Sequence, residues 1–307
     1  MASSPDSAED PPPATSFPKG VALMLAAATC FALSDVFAKK ALLRYSGVEV
    51  AWFRYAGMAA VLAIAAPWHG LPGRSANPGL QIGRGAGLIG AALFYTLALA
   101  ALPLAEASAI AFASPVFVTL MSALALRERV DRTGWLVVVA GFVGVLLVMR
   151  PGSAAFQPAA LFALASAASW AGAIVFTRKS FVSDSVATTT AYSATIGLAA
   201  LSVLALPAMP MPTPGEAATL AAMAIIWGSA QWFALSAFHQ AEASRLAPFA
   251  YLQLVFAIGF SHLIFAHVPD AWAFAGIAVI VASGVIAGVR ARRRAPVANR
   301  PPLPPGP

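Results

Sequence analysis

Charge is what this sequence has least of. Only 10 % of its 307 residues are Asp, Glu, Lys or Arg, while 60 % are hydrophobic. Soluble domains carry about 25 % charged residues, so this composition excludes a soluble enzyme and a disordered regulator. Cysteine is nearly absent. The single Cys30 rules out an intrachain disulfide scaffold and, inside an apolar run, reads as a small packed residue. Motifs for energy coupling and hydrolysis are missing too: no Gly-x-x-x-x-Gly-Lys-Ser/Thr loop, no His-Glu-x-x-His helix and no Gly-x-Ser-x-Gly elbow. The chain is therefore no ATP-driven pump on its own. His69, His239, His262 and His267 are too scattered in sequence to suggest a metal cluster, so no metal and no cofactor is expected. Met1–Pro18 is polar, acidic and Pro-rich, without the basic start of a cleavable signal. The net charge is +7, but the basic residues fall between apolar runs rather than along one face, so no nucleic acid partner is expected.

What is present is a series of long apolar runs: Gly20–Ala38, Glu49–Trp68, Ala86–Pro103, Ser108–Leu126, Gly134–Met149, Ala159–Thr177, Ala187–Met209, Ala217–Phe238, Leu246–Ala266 and Trp272–Val289. Ten membrane helices need roughly 200 residues, which this chain supplies. The runs are too long for barrel strands of about 9–11 residues and do not alternate. Helices are then the way to satisfy every backbone group in lipid. The fold class expected is an all-α membrane protein of ten transmembrane helices.

Lys and Arg orient the spans. With the N-terminus inside, 14 of the 19 basic residues fall on inner segments, among them Arg74, Arg84, Arg178, Lys179 and Arg290–Arg294. Lys39, Lys40, Arg44 and Arg150 fall outside, and Arg54 lies within the second span. Both termini are therefore expected in the cytoplasm of a bacterial-type inner membrane. Residues 1–18 and the basic, Pro-rich 291–307 read as disordered cytoplasmic tails.

The two halves resemble each other. Phe31–Lys40 lines up with Trp170–Lys179 at an offset of 139, and Ala98–Ser108 with Ala234–Ser244 at 136, with seven identities in eleven. Pro115-Val-Phe aligns with Leu254-Val-Phe, Glu128 with His267, and Gly144-Val145 with Gly284-Val285. The repeats run over 19–150 (helices 1–5) and 157–290 (helices 6–10). Five spans is an odd number, so the second repeat is inverted relative to the first. Inverted repeats with a site at their interface mark secondary transporters.

These stretches carry a family resemblance. Cys30-Phe-Ala-Leu-Ser-Asp35 with Lys39, Trp52-Phe-Arg54-Tyr55, Ser114-Pro115-Val-Phe leading to Leu126-Arg-Glu128, Trp170 to Lys179, and Pro248-Phe-Ala-Tyr251 leading to His267-Val-Pro269-Asp270 and Gly284 resemble the drug/metabolite transporter superfamily, in its ten-span branch with two EamA-type domains. The resemblance covers about Gly20 to Arg294. It implies a secondary carrier of a small organic solute: an amino acid derivative, a vitamin such as riboflavin, or a nucleoside-like compound such as S-adenosylmethionine. The family often carries Glu where this chain has His267. That histidine either titrates near neutral pH or is a tolerated interfacial substitution.

Ionisable groups within a span cost roughly 2.5–3.5 kcal/mol at its centre and are candidate functional groups with a partner. Asp35 and Arg54 stand out. Lying on neighbouring antiparallel spans, they are expected at similar depth, with Asp35 pairing either with Arg54 or with Lys39 on its own helix. Tyr95, Trp170, Gln231, Trp232, Tyr251 and Gln253 complete the candidate substrate pathway, through stacking and amide hydrogen bonds. Tyr95 and Thr96 match Gln231 and Trp232 across the repeat, so the matched pairs are expected at one interface. Lys39, Glu106, Glu128, Glu242 and His267 are candidate helix-end or coupling groups, since carboxylates complement helix N-termini. Pro115 is expected to kink span 4. The partners expected are a small-molecule solute and the lipid bilayer. Proton coupling and a homodimer stay open. The rival readings are a membrane-embedded enzyme and a non-transporting scaffold.

Overall fold

The computed structural model describes residues 16–69, 72–125, 132–153, 156–180, 184–241, 246 and 249–294. Among these there are helices and turns but no strand. The first half holds α1 (Phe17–Ala41), α2 (Gly47–His69), α3 (Pro78–Ala101), α4 (Leu104–Ala111), α5 (Ser114–Ala125) and α6 (Arg132–Met149). The second holds α7 (Ala160–Ser180), α8 (Val186–Ala205), α9 (Pro214–Gln240), α10 (Leu252–Phe265) and α11 (Ala271–Arg294). By length and composition, seven of the described helical segments can cross a membrane, with α4 and the start of α5 (Leu104–Met121) acting as one. Three shorter apolar helices, Gly134–Met149, Leu252–Phe265 and Ala271–Ile286, accompany them.

Local chemistry sets the helix ends. Ser46 and Glu49 form a reciprocal cap on α2: the Ser46 N–H donates to Glu49 Oε2 at 2.7 Å and the Glu49 N–H to Ser46 Oγ at 3.3 Å. Thr213 and Glu216 cap α9 in the same way, and Ser185 accepts from Thr188 N–H on α8. Helices α1, α3 and α9 carry proline in their first turn, where the missing N–H costs nothing. Hence α1 already includes Phe17 and Pro18, and α3 begins at Pro78, eight residues before the apolar run at Ala86. The polar Gln81 and Arg84 mask that first stretch in sequence, yet both are buried inside the fold.

The span holding Pro115 breaks between α4 and α5. Phe112 N–H still reaches Ser108 O at 2.9 Å, but Ala113 N–H tightens to Ile110 O at 3.0 Å, and α5 restarts with Pro115 in its first turn. Proline has no N–H to continue the ladder from α4.

Packing joins the halves helix by helix: α1 lies along α9, α3 along α7, α6 along α11, and α2 against α8 and α9. In lipid such contacts rest on van der Waals fit, which small residues permit. At the α6–α11 crossing, a Cβ on Gly144 would sit 2.8 Å from Gly276 O, and one on Gly276 would sit 2.5 Å from Gly144 O. Only glycine lets the two backbones meet this closely. Large apolar side chains such as Leu136, Val139, Val203 and Leu263 face outward. Trp68, Trp135 and Trp272 stand exposed at helix ends, as aromatic belts do at membrane interfaces.

Candidate transport cavity

Helices α1, α3, α5, α7 and α9, with the chain around the start of α10, line a cavity of about 410 Å³. This lies in the range of small-molecule sites, roughly 300–1,000 Å³. Its wall is largely apolar and aromatic, with Phe31, Phe112, Trp170, Trp227 and Tyr251 contributing rings.

One end closes on the two intramembrane charges. The short α1–α2 connection makes the helices antiparallel neighbours. Asp35 lies six residues before the end of α1 and Arg54 seven after the start of α2, about 9–10 Å of rise from each end. They therefore meet: Arg54 Nη2 donates to Asp35 Oδ1 at 2.6 Å, with both residues buried. Asp35 Oδ2 accepts from the Tyr95 hydroxyl at 2.9 Å, and that hydroxyl also lies 2.9 Å from Ser108 Oγ. The Arg54 guanidinium stands 5.7 Å from the centre of the Tyr95 ring and 5.9 Å from that of Trp227, at the range of cation–π attraction. Arg54 Nε is buried with no acceptor among the described residues.

Of the two partners considered for Asp35, the structure places Arg54 against it. Lys39 instead donates to Leu99 O at 2.6 Å and Leu102 O at 2.7 Å, meeting the carbonyls that the end of α3 leaves unpaired. Tyr95, Trp170, Gln231, Tyr251 and Gln253 all line the cavity with the charged pair. Gln231 is buried and has no hydrogen-bond partner among the described residues. Trp232 is half-buried and is not among the lining residues, because one residue along a helix turns the side chain by about 100°. Thr96 likewise turns away and donates to Gly47 O at 2.8 Å. The matched residues Tyr95 and Gln231 thus both border the cavity, as expected, while their matched neighbours Thr96 and Trp232 are both absent from its lining.

Beyond the charged end, one face of the molecule carries ion pairs that each join the two halves. His267 Nε2 lies 2.8 Å from Glu106 Oε1. Arg150 meets Asp270 at 2.6 Å and Arg44 meets Glu216 at 2.5 Å. The hydrogen bond from the Ala273 N–H, helped by Arg150, outweighs desolvation and holds the Asp270 carboxyl below its ordinary range. Glu128 and Glu242 lie outside the described residues.

The opposite face holds a polar cluster that the sequence reading passed over. Burial would raise the Asp184 carboxyl. Hydrogen bonds from Ser75 at 2.6 Å, Gln81 at 2.6 Å and Ala76 N–H at 3.2 Å outweigh this and hold it below the usual range. One turn along α3, buried Arg84 donates to the hydroxyls of Thr177 and Ser193. The signal for Arg84 was available: Asn77-Pro78 is a helix start, which puts residue 84 two turns into α3. Trp227 carries no comparable signal. Phe112 does carry one, since it matches Tyr251 at the offset of 139, and the two rings lie 5.3 Å apart. Among the described residues no three His, Cys, Asp or Glu gather as metal ligands.

The EamA-like transporter family matches this chain twice, over residues 18–150 and 157–288. The chain is similar to an S-adenosylmethionine uptake transporter of Rickettsia prowazekii, 26 % identical over 263 residues, covering 85 % of this chain and 90 % of that protein. It is 30 % identical over 271 residues to a pseudopaline exporter of Pseudomonas aeruginosa, covering 85 % of this chain and 93 % of that one. A solved crystal structure overlays with a TM-score of 0.62 at 19 % identity, covering 91 % of this chain and 99 % of the other; at that identity it speaks for the fold alone.

Proposed function

Because this chain belongs to the EamA-like transporter family, and is thus a multi-pass membrane transporter of small metabolites rather than an enzyme, we propose that it is a secondary carrier working by alternating access around the cavity above. The observation that carries this reading is the aromatic-lined cavity of about 410 Å³ ending on the buried Asp35–Arg54 pair. A charged pair inside a membrane is retained at a cost, and here it borders the space a solute would occupy. The pathway residues are Asp35, Arg54, Tyr95, Trp170, Gln231, Tyr251 and Gln253.

The proposed architecture is ten passages in two inverted repeats, 19–150 and 157–290. The seven long and three shorter apolar segments support that number. An in-plane two-fold that swaps the halves would exchange the α1–α9 pair with the α3–α7 pair and return the α6–α11 and α2–α8 pairs to themselves, consistent with the packing. Matched residues touch each other only near such an axis, and Phe112 and Tyr251 do so. The basic residues favour both termini in the cytoplasm of the inner membrane. In that orientation Lys39, Glu106 and His267 lie on the outer face. The cavity is then shut outward by Asp35, Arg54 and Tyr95 and extends inward along α1 and α9 to Met24 and Phe238. Glu106 and His267 are the groups proposed for proton coupling. One chain's helices supply every lining residue of the cavity, so no second copy is required to form it.

Relatives named for S-adenosylmethionine uptake and pseudopaline export point to an amino-acid-derived or nucleoside-like solute, with direction set by the coupling gradient. The test is purified protein in liposomes, with labelled S-adenosylmethionine, riboflavin and amino acids under an imposed proton gradient. Saturable flux that depends on the protein is expected for at least one; none for any solute refutes the carrier reading.

A further inference from the structure

We propose that Lys39 is a gating residue: its ammonium ties α1 to the end of α3 and so holds the outer end of the cavity shut. This rests on the carrier reading and deepens it by naming the group whose release opens that end.

Packing divides the helices around the cavity into two sides. On one side α1 lies along α9, with α10 against α1; on the other α3 lies along α7, with α4 and α5 against α7. Between the sides, α1 and α3 barely touch. The cavity keeps them apart, and both helices line it, α1 with Met24, Ala28 and Phe31 and α3 with Leu88, Ala91 and Ala92. At the outer end the seam is bridged. Among the described residues three side-chain hydrogen bonds join α1 to α3. Tyr95 donates to Asp35 at 2.9 Å. The other two come from Lys39, to Leu99 O at 2.6 Å and Leu102 O at 2.7 Å.

The sequence explains why those carbonyls are open. In a continuing helix Leu99 O would accept from the N–H of residue 103, but Pro103 has none. Leu102 is the C-cap of α3, so its carbonyl also lies past the helical ladder. Lys39 meets both with charge-assisted bonds. It is half-buried and forms no ion pair among the described residues, whereas Lys40 beside it is exposed. Parting the seam gives the ammonium and both carbonyls to water, while the α1–α9 and α3–α7 packing is untouched. The closed end therefore depends on one side chain. The next seam, between α4 and the end of α10, carries the Glu106–His267 contact. Its histidine is 39 % exposed, so water and salt weaken that tie.

The test uses single-cysteine reporters in a Cys30→Ser background, in the full chain in detergent micelles, with a charged methanethiosulfonate reagent. Ala98→Cys reports the seam, since Ala98 is fully buried on α3 between Tyr95 and Leu102. Met24→Cys reports the inner end of the cavity. Lys39→Met keeps the apolar stem and removes the donors. It is expected to speed labelling of Ala98→Cys at least tenfold and to slow that of Met24→Cys at least twofold, because alternating access closes one end as the other opens. A tenfold shift asks for no more than one hydrogen bond to a charged group contributes. Lys39→Arg should restore the original rates, Lys39→Gln should fall between, and Lys40→Met should change neither rate. If Lys39→Met does not fold, Lys39→Gln against Lys39→Arg decides. Faster labelling at both reporters marks a general loosening and overturns the proposal, as do unchanged rates or equal effects of Lys39→Met and Lys40→Met. Any of those results alongside saturable liposome flux sinks this inference alone, whereas absent flux sinks the carrier reading itself.

Discussion

Replacing Asp35 by Asn isolates the energetics of the buried pair. Asn keeps the shape and can still accept from Tyr95, but Arg54, 2 % exposed, loses its counter-charge. Breaking one side of a buried ion pair costs about 3–5 kcal/mol, mostly as the penalty of the stranded charge. The Tyr95 and Trp227 rings already lie near the guanidinium in the wild type, so they add no new compensation. The expectation is a loss of about 3–5 kcal/mol, a fall in melting temperature on the order of 10 °C by the scale of soluble domains. Removing both charges in Asp35→Asn/Arg54→Gln should recover most of the loss, because no charge is stranded. Thermal unfolding in detergent of the wild type, both single variants and the double variant closes the cycle. A single variant within 1 kcal/mol of wild type, or a double variant as unstable as the sum of the singles, would refute the view that the two charges depend on each other.

Two further outcomes are expected. Gly144→Leu drives a side chain into Gly276 O and Ile280 and should abolish folded protein on size-exclusion chromatography, whereas Gly215→Ala, with nothing within 4 Å of its Cβ, should leave the elution profile and melting temperature unchanged within about 0.5 kcal/mol; equal behaviour of the two would refute the close α6–α11 crossing. The Asp184 carboxyl, held below its ordinary range by Ser75, Gln81 and Ala76, adds stability above its unfolded value of about 3.9 and loses it as pH falls through its folded value. Melting temperature should therefore drop more steeply below about pH 4 for wild type than for Asp184→Asn, and parallel curves would show that this carboxyl is not the titrating group.

Much of this was readable along the chain because lipid imposes strict rules. Scarce charge and long apolar runs leave helices as the way to cross a bilayer, and the structure has helices at every expected run. Polar residues inside those runs are costly, so Asp35, Arg54, Tyr95 and Gln231 could be singled out without coordinates, and they do border one cavity. Less readable was anything set by rotation about a helix axis. Trp232 and Thr96 are polar or aromatic at the right depth, yet neither lines the cavity, and Thr96 is spent on backbone carbonyls. Trp227, one turn before Gln231, lies at the cavity and close to Arg54. The helices are apolar nearly all round, so no amphipathic stripe marks the inner face. Arg84 was assigned to a connection because charge hid the first two turns of α3.

The sequence by itself determined the membrane class, the repeat, and which few charges had to be explained, since those follow from the cost of placing polar groups in hydrocarbon. Only the tertiary structure decided who satisfies whom: Arg54 rather than Lys39 for Asp35, the α3 carbonyls for Lys39, and Glu106 for His267. Partner choice depends on helix rotation and approach at the scale of a single hydrogen bond, and in this fold glycine contacts such as Gly144 with Gly276 set how closely the helices meet.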